Sequence, residues 1–558
     1  MKPWLKYLLL VSIAAAVNLN NLFNDYALDD CVVLTQNRFV QNGLAGIPAI
    51  LNSDYAAGYT DKPGQLAAVR YRPLTLITFA LEYHFFKLNP KVSHAINILL
   101  FVLLVVLLYR LFVAFFPFNP NAIWIGALVF AVHPIHAEVI ANVKGRDELL
   151  AFLWIVLSLN WMLNPKQKHE PIAMLMACIC FGLALLTKET AITFLGIIPL
   201  TFFYVKQYNP RKTLLKTFPF LLTTLLYVLI RFWLVGNKQY AVFDVANSPY
   251  LYASINQAFA TKIWVVFKYL WMVLWPLHLS SDYGYNQIPY INVWDPYFLA
   301  SSISLLILCY YIILAIPKRS YMAFSMVWFF ITLSVGTNIF FDLGAPMADR
   351  MLFQPSWGYA IGLGFIAEKC FRHSRYLTGI FLLTLIGWYA LKTVERNAQW
   401  KNNQVLFLAD VQQAPNCARL NLFACEQLVI KANTEINPQL KKADLEKAIF
   451  YGKKAIAIHP KFAYAYLRLG FAYYNGGDIY NTALCWLKAK DKEPNDNETL
   501  HWCAYLSELY AKHALEAESA NDGTSAISAL KMAYQLNPTD RRIKESLKKI
   551  EQAHSNIR

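Results

Sequence analysis

Residues 122–163 read AIWIGALVFAVHPIHAEVIANVKGRDELLAFLWIVLSLNWML, and the reading of this stretch decides the fold. An apolar run ends at His133-Pro134, a polar and charged segment continues to Glu148, and a second apolar run follows. Two such runs joined by a charged turn describe a helical hairpin crossing a bilayer, because ~30 Å of hydrocarbon takes roughly 20 residues of helix. Runs of the same kind occur near 4–24, 93–116, 122–140, 148–164, 172–187, 190–205, 217–235, 297–316, 321–341, 351–368 and 376–393, which makes eleven candidate crossings. Composition agrees: of 558 residues, 57% are hydrophobic and 15% charged, with a mean hydropathy of +0.34. That excludes a disordered chain and argues against an ordinary soluble enzyme. The first run opens Met-Lys-Pro-Trp-Leu-Lys and no small-residue cleavage site follows it, so it reads as a retained anchor with its N-terminus inside.

Charge orients these crossings. Lys and Arg number 51 against 35 Asp and Glu, a formal +16. In a membrane protein such an excess points to cytoplasmic loops rather than to nucleic acid, and no nucleic-acid partner is expected. The basic clusters are Lys166/Lys168, Lys206/Arg211/Lys212/Lys216, Lys318/Arg319 and Lys369/Arg372/Arg375. They share one side only if the further apolar segment from Ile263 to Leu279 does not cross. That segment is therefore expected to be reentrant or interfacial, with Trp264, Trp271 and Trp275 at the lipid boundary. The same parity puts the loops 25–92, 133–147, 236–296 and 342–350, and everything after 394, on the outer face. Nine cysteines at scattered spacing form neither a zinc pattern nor a disulfide framework.

Two domains are expected, 1–395 in the membrane and 396–558 outside it. The second is amphipathic and helical, and Pro460 and Pro494 stand 34 residues apart, the tetratricopeptide (TPR) period. Ala448 and Ala455 precede Pro460, Ala489 precedes Pro494, and Ala526 and Ala533 precede Pro538. Tyr466, Leu469, Gly470 and Tyr473 fall where the repeat places its aromatic, Leu, Gly and Tyr residues. Thr482 stands in place of the usual Ala, and the 44-residue interval from Pro494 to Pro538 implies about ten inserted residues near 512–522. Stacked helix pairs suit the holding of a peptide or partner protein; a brace for the membrane domain is the alternative.

The polar residues of interest fall on the outer side. Asp29 and Asp30 lie just beyond the first crossing, where one carboxylate can take a proton from an attacking hydroxyl while the other holds a metal or orients the first. A solvated turn or helix cap would explain the pair equally well. His133, His136 and Glu138, then Lys144, Arg146, Asp147 and Glu148, crowd the second outer loop. Ionisable groups at a membrane boundary often mark a site, though interfacial anchoring and capping also account for them. His136 and Glu138 could hold a divalent cation such as Mg or Mn, although the spacing is not a zinc pattern. Arg72, beside Arg70, is suited to a phosphate. Lys188-Glu189 and Asp349-Arg350 each place a cation beside a carboxylate, and a local ion pair would explain either. No Gly-rich phosphate loop or dinucleotide fingerprint is present, which favours a lipid-linked over a nucleotide-linked sugar donor.

Taken together, the motifs resemble a known family. Asp29-Asp30, Tyr71-Arg72-Pro73-Leu74-Thr75, His133-Pro134-Ile135-His136-Ala137-Glu138, Gly145-Arg146-Asp147, Thr187-Lys188-Glu189, the segment Ala348 to Ser356, and Arg396-Asn397 with Trp400 resemble the transmembrane and TPR-repeat-containing (TMTC) proteins. The resemblance covers nearly the whole chain and implies an all-α polytopic fold of the GT-C glycosyltransferase type followed by a TPR α-solenoid. It also implies polyprenyl- or dolichyl-phosphate-linked sugar donors and, by the eukaryotic branch, protein O-mannosylation. By it, the acidic pair contains the catalytic base, with Asp29 preferred. Glu138 and Arg146 become second-loop site residues beside His133, His136 and Asp147, and Arg72, Arg350 and Lys188 become donor-phosphate contacts.

The expected function is transfer of mannose or a similar hexose from a polyprenyl-phosphate donor to Ser or Thr of a protein held by the TPR tail. Lys-, Asn-, Ile- and Tyr-rich usage points to a bacterial inner membrane with the site in the periplasm, or the endoplasmic reticulum lumen in a eukaryote. The competing readings are a membrane-anchored TPR scaffold without catalysis and a transporter. The latter places its ionisable groups near the membrane midplane rather than at the outer ends.

Overall fold

Asn-Pro or Asp-Pro opens several of the long apolar helices, and the reason is local. Proline lacks the N–H that a first helical turn leaves without an intrahelical partner, and the preceding Asn or Asp can cap the next donors. Thus Pro90–Phe115 follows Asn89, Pro210–Val235 follows Asn209, whose side chain accepts from the Lys212 N–H, and Pro296–Ala315 follows Asp295, which accepts from the Tyr297 N–H. A computed structural model describes residues 2–60, 70–163, 169–236, 245 and 248–555, with side chains as far as 552. The chain is helical, and no strand occurs among the described residues. Lys166 and Lys168 lie outside them, as do parts of the loops 25–92 and 236–296.

Among the described residues, six helices could each cross a membrane by length and apolarity: Pro3–Phe23, Pro90–Phe115, Glu170–Thr187, Pro210–Val235, Pro296–Ala315 and Arg375–Gln399. A seventh is the pair Pro120–Val132 and Pro134–Ala141, bent by 50°. The other expected crossings are helical too, but Glu189–Val205 and Tyr321–Thr337 are shorter, Pro355–Phe371 has 17 residues, and Arg146–Leu163 opens on three charged residues. The ambiguous segment forms Ile255–Leu274, starting at a Ser254–Gln257 capping box upstream of the apolar run. It buries Val265, Val266 and Tyr269 and exposes Phe259 and Trp271, an amphipathic pattern.

The chain divides into two compact units, Met1–Gly284 with Ile288–Gln413, and Tyr285–Gln287 with Ala414–Arg558. In the first, Phe112, Phe130, Phe152, Trp328 and Trp357 are buried in mutual edge and tilted ring contacts, a packing that holds the helices beneath the outer loops. The ends of the first and last long helices are clasped: Asn397 Nδ2 donates to Val17 O (3.0 Å) and Asn18 Oδ1 (3.1 Å), and Asn24 Nδ2 donates to Asn397 O (2.9 Å).

The second unit contains the helices Ala418–Thr434, Pro438–Ile458, Ala463–Asn475, Ile479–Lys492, Asn497–Ser519, Gly523–Leu536 and Arg541–Ser555, with sequence neighbours packed on one another. Pro460, Pro494 and Pro538 each stand two residues past a helix end, because the residue before a proline is pushed out of the helical region. Asn497–Ser519 has 23 residues against 13 in Ala463–Asn475, so the inserted residues lengthen a helix instead of forming a loop. The alanines of the repeat pattern are buried. Thr482 fits among them because its hydroxyl donates back to Asp478 O (2.8 Å). Gly470 is required by close approach: a Cβ there would lie 2.2 Å from Trp486 Nε1. Gly470→Ala is therefore expected to destabilise this unit by about 1–3 kcal/mol. Limited proteolysis of the full chain should cut within 463–492 at a lower temperature than in wild type.

Candidate active site

The acidic pair lies in a tight turn entered through Leu28, a non-glycine residue with φ 52° whose N–H donates to Asn403 Oδ1 (2.7 Å). The two carboxylates have different surroundings. Asp30 is buried, and its Oδ2 accepts from the Ala27 N–H (2.9 Å) while its Oδ1 accepts from the Lys144 N–H (2.8 Å). It therefore ties the first outer loop to the second. Burial pushes its carboxyl up to about 7 against the lowering effect of those backbone donors, and the Asp29 charge adds to the rise. Asp29 is 45% exposed, with Oδ2 3.5 Å from Lys144 Nζ. A value near neutrality would suit Asp30 as a base, but both of its oxygens are occupied and solvent does not reach it. Asp29 is the one of the two that solvent reaches.

A folded carboxyl raised from 3.8 to about 7 binds its proton more tightly than the unfolded chain does. Its stabilisation is complete below pH 3.8 and is lost as pH rises through 7. Asp30→Asn removes that dependence and turns one acceptor oxygen into a donor facing an N–H, at a cost of about 1–3 kcal/mol. Thermal unfolding of the solubilised protein at pH 5 and pH 8 should show wild type losing stability between the two while the variant, lower throughout, changes less.

The second outer loop is built by a broken helix. Pro134 disfavours helical geometry at His133, which sits at φ −71°, ψ 123°. His133 then caps the break, its Nδ1 accepting from the Ile135 N–H (3.2 Å) while Nε2 contacts Val273 O (2.9 Å). The His136 ring packs against Phe101, Phe130 and Phe353, with Nε2 on Ser356 Oγ (2.8 Å). Glu138 is buried and bound from two directions by Arg350, whose N–H reaches Oε2 (2.8 Å) and whose Nη1 reaches Oε1 (2.6 Å). The expected cation at His136 and Glu138 does not fit this arrangement: His136 Nε2 is on a hydroxyl, and the two Glu138 oxygens already accept from the Arg350 guanidinium and the Arg350 backbone N–H. Among the described residues no three His, Cys, Asp or Glu side chains converge on a metal position.

A cluster of charges, buried except at Glu189, joins three loops. Arg72 donates through Nη1 to Asp147 Oδ2 (2.6 Å) and through Nε and Nη2 to Glu189 (2.7 and 2.5 Å). Lys188 Nζ meets Asp147 Oδ1 (3.0 Å) and Glu148 Oε1 (2.7 Å). The paired cations hold the Asp147 carboxyl below its usual range despite burial, Lys188 contributing most. Arg72 and Lys188 were expected to meet the donor phosphate, but each nitrogen of Arg72 already donates to a carboxylate, and Lys188 bridges two. Lys144 and Arg70 add their positive charge beside Asp147 and Glu189, so the acids of the cluster are met from several sides. Arg146 is likewise withdrawn from the site. Its Nη1 pairs with Glu82 (2.6 Å), Nε donates to Asn97 Oδ1 (3.0 Å), and the guanidinium covers the Phe79 ring.

Arg350 differs: its side chain is 25% exposed, and it borders a cleft with Gln354, Thr190, Glu148 and Gly336. Its neighbour Asp349 is not its ion-pair partner. Asp349 accepts from Tyr283 OH (2.7 Å) and the Ser280 N–H (3.2 Å), and burial, reinforced by Glu138, pushes its carboxyl up. The sequence reading assigned no role to Glu82 or Lys144. A lone acid in the apolar run 74–86 was a signal that something must pair with it.

No family model matches the chain. Curated proteins do. Protein O-mannosyl-transferase TMTC3 of Mus musculus is 26% identical over 526 residues, covering 87% of this chain and 54% of that protein. The chain is similar to protein O-mannosyl-transferases. TMTC1 of Homo sapiens is 25% identical over 511 residues (81% of this chain, 54% of that protein), and TMTC4 of Homo sapiens is 24% identical over 486 residues (78% and 65%). The likeness to TMTC3 takes in part of both compact units, since 87% of the chain exceeds either one. The chain spans about half the length of the curated relatives it matches.

Proposed function

We propose that the chain is a TMTC-family glycosyltransferase of the GT-C type. It transfers mannose or a similar hexose from a polyprenyl-phosphate donor to Ser or Thr hydroxyls of proteins at the outer face of the membrane. The observation that carries the reading is the unequal acidic pair, one carboxylate buried between two loops and the other exposed beside a buried ammonium. In the transfer, the acceptor oxygen bonds to the anomeric carbon as the carbon–oxygen bond to phosphate breaks, its electron pair leaving with the phosphate. The hydroxyl proton passes to Asp29, and inversion follows from attack opposite the leaving group. Arg350, held by Glu138 yet still partly accessible, offsets the charge that develops on the departing phosphate.

The eleven-crossing topology with an interfacial Ile255–Leu274 belongs to this reading. So does the placing of the site in the periplasm of a bacterium, or in the endoplasmic reticulum lumen of a eukaryote. The membrane unit takes the lipid donor, and the TPR-like unit binds the acceptor chain, so that tethering raises its local concentration. Mass spectrometry of outer-face proteins from cells with and without the gene tests the reading. A hexose on Ser or Thr lost with the gene, and restored by the purified chain with a synthetic polyprenyl-phosphate hexose, is expected; an unchanged modification pattern would overturn it.

A further inference from the structure

Lys144 meets both members of the acidic pair with different groups. Its backbone N–H donates to Asp30 Oδ1 (2.8 Å) and also reaches Asn142 Oδ1 (3.2 Å), while its Nζ lies 3.5 Å from Asp29 Oδ2. The loop turns back sharply enough for this because the next residue is Gly145, where a Cβ would fall 2.2 Å from Val139 O. We propose that Lys144 is a positioning residue for the transfer, its ammonium holding Asp29 as an ionised carboxylate presented to the acceptor hydroxyl. The inference rests on the reading of Asp29 as base.

Three observations support it. First, the Lys144 side chain is 7% exposed, and a charge that dry needs a counter-charge. Burial brings it down to about 8, with Asp147 and then Asp29 opposing the fall. Second, Asp147 is already shared by Arg72 and Lys188, so the charge of Lys144 is only partly met from that side. Third, the charges balance over the reaction. When Asp29 takes the hydroxyl proton it becomes neutral, and the Lys144 charge it had offset is released in the same step that gives the phosphate one more negative charge. The other titratable and charged groups facing this pair are Asp30 and Cys31 on the same segment, Tyr55 and Tyr59 of the first outer loop, Asp147, Lys188 and Arg350.

Lys144→Met removes the ammonium and keeps the backbone donor to Asp30, and Lys144→Arg restores a cation. Two measurements on the full chain decide the matter. One is the acid limb of kcat/KM for a polyprenyl-phosphate hexose and a Ser/Thr peptide. The other is the pH midpoint at which dicyclohexylcarbodiimide labels protonated Asp29, read by mass spectrometry and independent of turnover. In Lys144→Met both should move up by about 1 pH unit, and Lys144→Arg should return them toward wild type. An unmoved labelling midpoint in Lys144→Met overturns the inference, as does a shift that arginine fails to reverse. If wild type transfers nothing, the functional reading falls, while the labelling still reports whether Lys144 sets the charge of Asp29.

Discussion

Asp29→Asn is expected to lower transfer by roughly 100-fold to 10,000-fold, the usual contribution of a positioned general base, with membrane insertion kept and the fold retained. The amide cannot take the hydroxyl proton. The side chain is 45% exposed, and the amide keeps its size. Initial rates with synthetic donor and acceptor peptide, alongside an unfolding curve, check both halves. Transfer within about threefold of wild type would remove Asp29 from the role.

Asp147→Ala is the substitution with the largest expected effect on stability. Its two oxygens receive Arg72 Nη1 and Lys188 Nζ in surroundings that water does not reach. Truncation leaves two buried cations facing a cavity, and breaking a buried pair from one side costs about 3–5 kcal/mol. The expected outcome is a sharp fall in folded yield and in the unfolding temperature of the solubilised protein. A variant that folds normally but needs far more donor would return Arg72 and Lys188 to the phosphate. A double-mutant cycle with Glu189→Gln would measure how far Arg72 acts as a link between loops.

Much of the helical organisation was legible along the chain. Apolar runs, Asn-Pro starts and the alanines before Pro460, Pro494 and Pro538 are local signals, and helices form where they predict. Thr482 departs from the repeat without harm because its hydroxyl finds a carbonyl in its own helix. The outer-loop clusters were legible as residue types. Their division of labour was not: Arg72, Arg146, Lys188 and Arg350 look alike in sequence, each a cation near an outer loop. Their partners, Glu189 and Asp147, Glu82, Glu148, and Glu138, include residues more than a hundred positions away.

Sequence alone determined that this is a helical membrane chain with an amphipathic tail, since hydrophobic periodicity and composition are properties of neighbouring residues. It also located the loops where ionisable groups collect. Only the tertiary structure decided which of those charges are neutralised by one another and which remain accessible. A charge taken from water must be met by an opposite charge or by dipoles, and in this chain those partners come together only when separate loops fold onto one another. On that ground Asp30 is a buried tie and Asp29 an exposed carboxylate, although the two are adjacent and chemically identical.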